Sequence, residues 1–144
     1  MKKILYAVIA IALLGIGGLF YLGQTSQNGA ASGLVEGNLS SCPSTPNCVS
    51  SDGNVAGEQK VNPLPVSAWQ ELPKLITDMD GVLKTQNDTY IAAEFTTSIF
   101  RFIDDVEFRL ADDGVHVRSA SRVGRSDFGV NKARVEMMQD RLGS

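Results

Sequence analysis

The sequence predicts an α+β fold. It is a two-layer domain in which an antiparallel sheet of three to five strands carries an N-terminal and a C-terminal helix on one face, preceded by a single N-terminal transmembrane helix. Three observations predict it. Residues Ile4 to Leu22 form an apolar run without a charged residue. Two segments, Trp69–Met79 and Asn131–Leu142, place apolar residues at helical spacing. Between them, from Thr89 to Arg122, apolar and polar residues alternate with the period of a strand. Helix, antiparallel strands and helix in that order suit one sheet face covered by both helices.

Lys2 and Lys3 precede the apolar run, which has 19 residues. As a helix it spans about 28 Å, close to the roughly 30 Å of a hydrocarbon core. A cleaved signal peptide has a shorter apolar region and a small-x-small site just behind it. Here Phe20, Tyr21 and Leu22 close the run, and the candidate site near Gly29-Ala30-Ala31 lies further on. An uncleaved anchor is therefore the first reading, with a signal peptide and a buried helix as alternatives. A lipoprotein does not fit, because Cys42 is far from the run and Pro43 follows it. The two lysines favour a cytoplasmic N-terminus. The expected location is the inner membrane, single-pass, with the C-terminal domain in the periplasm or outside the cell.

The organisation expected is an anchor over residues 1–23, a flexible tether over 24–38 that is rich in Gly, Ser, Asn, Gln and Ala, and an exported domain over 39–144. Without Lys2 and Lys3, the 13 basic residues fall to 11 against 16 acidic ones. This mildly acidic balance speaks against nucleic acid or an anionic bilayer as a partner recruited by net charge. The membrane enters through the N-terminal helix. The other partners considered are an anionic small molecule or an envelope protein.

Cys42 and Cys48 flank a loop, CPSTPNC, stiffened by Pro43 and Pro46. An exported compartment permits a disulfide between them. A reduced pair, a metal site and a redox pair are the alternatives. The metal reading lacks ligands, since the single His116 is remote, and the redox reading lacks CxxC spacing. From there to Gln59 the chain reads as irregular.

Val61-Asn62-Pro63-Leu64-Pro65 is expected to be extended. Ser67 with Gln70 forms a capping box for a helix that buries Trp69, Leu72, Ile76 and Met79, although Pro73 must kink it or delay its start. Gly81 ends it. Thr89–Thr97 is a strand with Ile91, Ala93 and Phe95 on one face. Val106, Phe108 and Leu110 alternate with Glu107 and Arg109 in the next, and Asp112-Asp113-Gly114 marks a hairpin. Val115, Val117, Ser119 and Ser121 alternate with His116, Arg118, Ala120 and Arg122. A loop from Gly124 to Gly129 leads to the last helix, which Asn131 is expected to cap. Val130 and Val135 are spaced for a hydrophobic staple.

All the arginines lie between Arg101 and Arg141. The alternation puts Glu94, Glu107, Arg109, His116, Arg118 and Arg122 on the sheet face away from the helices. One reading is a solvated face with cross-strand ion pairs. The other is a groove in which arginine forks hold an anion or polar ligand. The candidate ligand-binding residues are Asp104, Asp105, Glu107, Arg109, Arg118, Arg122, Asp127 and Asn131. Asp104, Asp105 and Glu107 form an acidic cluster without a metal-loop pattern, and no metal or cofactor is expected. Neither a nucleophile elbow nor a phosphate-binding glycine loop is present in the sequence.

The motifs CPSTPNCVSS, FRFIDDVEFRL and VRSASRVGRSDFGVN, in that order, resemble the bacterial and plastid family known as domain of unknown function 1499. The resemblance runs from about Leu39 to Leu142. It implies that Cys42, Pro43, Pro46, Asn47, Cys48, Ser50 and Ser51 are characteristic positions. Further on, it singles out Phe102, Asp104, Asp105, Glu107, Arg118, Ser119, Ser121, Arg122, Gly124, Asp127, Gly129 and Asn131. Arg125 stands where relatives tend to carry an aromatic residue. The family has no assigned activity, so the resemblance carries over domain limits and residue choice but no reaction.

The expected function is accordingly a membrane-anchored envelope domain that binds a ligand or partner without catalysis, through its Arg/Asp/Glu-rich strand face. Two rivals remain. One is a hydrolase using Asp104, Asp105 or His116. The other is a structural envelope protein in which the Arg–carboxylate network is internal. A buried or an exposed position for the arginines separates the first reading from the last.

Overall fold

Strand alternation and turn chemistry between residues 90 and 121 build the centre of the molecule. The computed structural model of the chain describes residues 1–53, 55 and 57–143. An apolar helix, α1 (Lys2–Ser26), comes first, followed by a short ribbon of β1 (Leu34–Val35) and β2 (Asn38–Leu39). Next is β3 (Cys48–Ser50). A 3₁₀ turn at Val66–Gln70 then leads into α2 (Leu72–Asp78). β4 (Val82–Gln86), β5 (Tyr90–Thr96), β6 (Ile103–Ala111) and β7 (Gly114–Ser121) follow, and α3 (Val130–Leu142) closes the chain. The five-stranded sheet has the order β3-β7-β6-β5-β4 and is antiparallel throughout.

The α+β architecture is as the sequence predicts, and so is the placement of both helices on one sheet face. Leu72, Leu75 and Ile76 of α2 and Val135 and Met138 of α3 share a core with Ile91, Phe95, Val106, Phe108, Val115 and Val117. Pro73 lies in the first turn of α2, where its missing N–H costs no hydrogen bond. The helix therefore starts later than the Ser67 box suggests, and Val66–Gln70 takes the tighter 3₁₀ form.

Several expectations need correction. β3 falls in a stretch expected to be irregular, and β4 in residues between the first helix and the first strand to which no element was assigned. β4 is an edge strand whose residues are largely exposed, so it carries no apolar alternation to reveal it. Asn131 is not a cap. It lies inside the first turn of α3, and its backbone N–H donates to the Asp127 carboxylate at 2.7 Å. Val130 is exposed, which rules out the staple.

The segment 24–38, expected to be a tether, begins within α1 and makes hydrogen bonds to the sheet. α1 continues to Ser26, and the residues after it lie along the sheet face opposite the helices. Composition suggested flexibility because the segment offers little apolar surface to bury. Its backbone instead bonds to buried charged side chains, and the small residues Gly29 and Ala31 let it come close. Gly29 packs on Arg122, and Ala31 packs against the cluster of Leu39, Tyr90 and Ala92.

Candidate functional site

The structure divides the predicted site residues between the two faces of the sheet. Asp105, Glu107, Arg109, Arg118 and Arg122 lie on the face covered by the segment after α1. Asp104, Asp127 and Asn131 lie on the helix side. Cross-strand register explains the first group, since Glu94 pairs with Asp105, Glu107 with Arg118, and Arg109 with His116.

On the covered face every candidate arginine meets a carboxylate. Arg122 donates from Nε and Nη2 to Asp105 at 2.7 and 2.6 Å, and from Nη2 to Glu94 at 2.5 Å. It also donates from Nη1 to the Ser26 carbonyl at 3.2 Å. Arg118 donates to Glu107 Oε2 at 2.9 Å. The other oxygen of Glu107 accepts from the Tyr90 hydroxyl at 2.7 Å and from the Gly33 N–H at 2.8 Å. Arg109 makes a bidentate pair with Asp52 at 2.8 and 2.9 Å, and Asp52 also accepts from the Leu39 N–H at 2.9 Å. Most of these groups are buried, Glu107 fully and the Arg118 side chain to 9% exposure, while Arg109 and Glu94 are partly buried.

These contacts shift proton affinities. Burial by itself would raise Asp52, but the hydrogen bonds from Arg109 and the Leu39 N–H outweigh it and hold the carboxyl below its ordinary value. Glu94 follows the same logic. Burial raises it, and the bonds from Arg122 and Lys84 bring it below the ordinary value. Burial pushes the Tyr90 phenol up, and its hydrogen bond to Glu107 adds to the effect. The bond to Asp105 raises Arg122 further.

A second network fills the helix side. Asp104 accepts from Arg134 at 2.8 Å and from the Ser121 hydroxyl at 2.6 Å. Arg134 also donates to Asn131 Oδ1 at 2.8 Å and lies 4.7 Å over the Phe95 ring. The Asn131 amide donates to Ser121 Oγ at 3.0 Å and to the Asn47 carbonyl at 3.2 Å. Asn47 in turn donates to the Gly124 carbonyl at 2.9 Å. Cys42 and Cys48 form a disulfide with Cα atoms 5.6 Å apart, which closes the loop that carries Asn47. Asn131 thus ties α3 to β7 and to the disulfide loop.

The proposed hydrolytic residues are not brought together. Asp104 and Asp105 point to opposite faces and are each engaged by a different arginine. His116 lies towards the far end of β7, with its ring nitrogens on the Ser51 carbonyl at 3.2 Å and on Asp113 at 3.1 Å. Among the described residues, no group of three or more His, Cys, Asp or Glu side chains is arranged to hold a metal.

Sequence reasoning missed Asp52, Tyr90 and Arg134 as members of these networks. Tyr90 could have been found, because Tyr90, Ala92 and Glu94 share one strand face. Arg134 lies one helical turn after Asn131. Asp52 carries only an Asp-Gly turn signal, and its pairing with Arg109 depends on the placement of β3.

The fold and its networks define a class: a small α+β domain with charge buried on both sheet faces, joined to a helix long and apolar enough to cross a membrane. The model of a family described as "Protein of unknown function (DUF1499)" matches residues 38–142. The chain belongs to that family. No curated protein and no solved structure gave a match.

Proposed function

We propose that the chain is a membrane-anchored, exported, non-catalytic domain in which the Arg–carboxylate face is an internal clamp. The clamp holds the segment after α1 onto the sheet and so fixes the domain relative to its anchor. One observation carries this reading: the carboxylates of Asp52, Glu94, Asp105 and Glu107 are matched by Arg109, Arg118, Arg122 and Lys84, and backbone groups of Ser26, Gly33 and Leu39 complete their bonding. No surplus positive charge is left there to recruit an anion. The disulfide fits an oxidising compartment, and Lys2 and Lys3 fit a cytoplasmic N-terminus.

Two experiments test the reading. Alkaline carbonate extraction of membranes from cells making the full chain should leave it in the pellet, and release into the supernatant would remove the anchor. Arg122→Ala should lower the denaturation midpoint of the full chain strongly. A variant as stable as the wild type would remove the clamp.

A second reading rests on Arg118. Its Nε is buried and donates to no protein atom. It lies beside a polar cleft of about 460 Å³ between residues 25–32 and β7, lined also by Asp105 and Arg122. With the charges around it balanced, the ligand class that fits is a neutral hydrogen-bond acceptor such as an amide or sugar oxygen. Native mass spectrometry of the full chain, with Arg118→Ala beside it, distinguishes the two. A discrete added mass lost in a folded variant favours the ligand, and a bare chain favours the clamp alone.

A further inference from the structure

The two poles of the domain differ. At one, the turns between β4 and β5 and between β6 and β7 expose Asp88, Asp112 and Asp113. At the other, the β5–β6 turn and the loop before α3 meet the last turns of α1. The Phe20 and Phe100 rings are 5.1 Å apart, edge to face. A Cβ on Gly23 would lie 1.7 Å from the Phe100 carbonyl oxygen, so the helix backbone itself rests on the turn. The Ser26 hydroxyl accepts from the Ile103 N–H at 3.1 Å.

This pole is apolar where it faces out. Ile99 is 68% exposed and Phe128 97%. A groove of about 460 Å³ runs between Leu19 and Leu22 of α1 and Phe100, Phe102, Val123 and Phe128. Arg101 and Arg125 stand exposed on the same two loops. Of the carboxylates nearby, Asp104 is engaged by Arg134 and Ser121, Asp127 by the start of α3 and Asp78 by Lys74, while Asp80 is exposed on the side of the β5–β6 turn where α2 ends.

Depth follows from arithmetic on α1. A hydrocarbon core of about 30 Å takes about 20 helical residues at 1.5 Å each. The run from Ile4 to Leu22 fills it, which puts Leu19–Leu22 at the boundary between acyl chains and headgroups. Whatever touches that turn lies at the same depth. We propose that this pole is seated in the bilayer boundary, with Ile99 and Phe128 entering the lipid and Arg101 and Arg125 at the level of the phosphates. Apolar tips flanked by basic residues suit that zone, where arginine keeps its charged end in the polar layer. The acidic pole then points away from an anionic surface. The proposal rests on the reading of α1 as a membrane anchor.

The test uses the full chain in phosphatidylglycerol–phosphatidylethanolamine vesicles. Trp69, the one tryptophan of the sequence, is replaced (Trp69→Phe), and single reporters are introduced as Phe128→Trp, Leu13→Trp and Val82→Trp. Lipids brominated near the carboxyl end of the acyl chain quench at the boundary, lipids brominated near its methyl end quench at the centre where Leu13 lies, and acrylamide quenches from the water. If Trp69→Phe fails to fold, the reporters are read by difference in the wild-type chain. The expected result is loss of emission to bromolipid for Leu13→Trp and Phe128→Trp, and to acrylamide for Val82→Trp on the exposed edge strand. Bromolipid quenching at Leu13→Trp with acrylamide quenching at Phe128→Trp overturns the seating and leaves the anchor. Protection of Phe128→Trp from both quenchers means that protein covers the pole, and likewise overturns it. Absence of bromolipid quenching at Leu13→Trp overturns the anchor and the seating together.

Discussion

Arg122 shows what single side chains do in this molecule. Its guanidinium joins Asp105 and Glu94 on neighbouring strands to the carbonyl of Ser26, and its side chain is 8% exposed. Removing one member of a buried charge pair leaves the other desolvated and typically costs 3–5 kcal/mol. Arg122→Ala should lose about that much in urea denaturation of the full chain in micelles. Arg122→Lys should recover little of it, because a single ammonium cannot reproduce the fork between two carboxylates. The same chemistry sets the pH dependence. Asp52 and Glu94 bind a proton less readily in the folded chain than in the unfolded one. Their contribution is complete above the ordinary values of 3.8 and 4.5 and is lost as pH falls below them. Tyr90 binds its proton more readily when folded, so its contribution holds below 10 and is lost as pH rises above it. Thermal unfolding followed across pH should therefore show a plateau with a fall at each end, and Asp52→Asn should weaken the acid limb.

At the scale of elements, the disulfide loop and α3 depend on each other through Asn47 and Asn131. Replacing both Cys42 and Cys48 by Ser should cost about 2 kcal/mol, the chain-entropy value for so short a loop. Asn131→Ala should cost about 1–3 kcal/mol by leaving buried groups without partners. If the loop and helix are coupled as described, the losses measured in the combined variant will fall short of their sum. The sequence made the strands β5 to β7 legible because their apolar residues alternate and an Asp-Asp-Gly turn joins two of them. It also placed Glu94, Glu107, Arg109, His116, Arg118 and Arg122 on one face. It did not reveal that the face is covered. Gly29, Ala31 and Gly33 look like linker residues, and their role lies in backbone groups and close approach, which composition does not encode. β4 stayed hidden for a related reason, since an exposed edge strand is defined by its partner and not by its own pattern.

For the whole molecule, the proposed clamp holds α1 and the domain together as one body. α1 touches the β5–β6 turn, and the segment behind it is bonded across the sheet as far as Leu39. Gly23→Leu should disturb this, because a side chain at that point has no room against Phe100. The expected readout is increased proteolysis between residues 24 and 38 with the folded domain retained. The most direct test of the clamp is amide hydrogen exchange of the full chain in lipid nanodiscs. Slow exchange is expected at Gly33 and Leu39, whose N–H groups donate to Glu107 and Asp52, and faster exchange at Gly33 in Glu107→Ala with the β6–β7 amides still protected. Free exchange across residues 26–39 in the wild-type chain would contradict the clamp and restore the segment to a flexible tether over an open charged face.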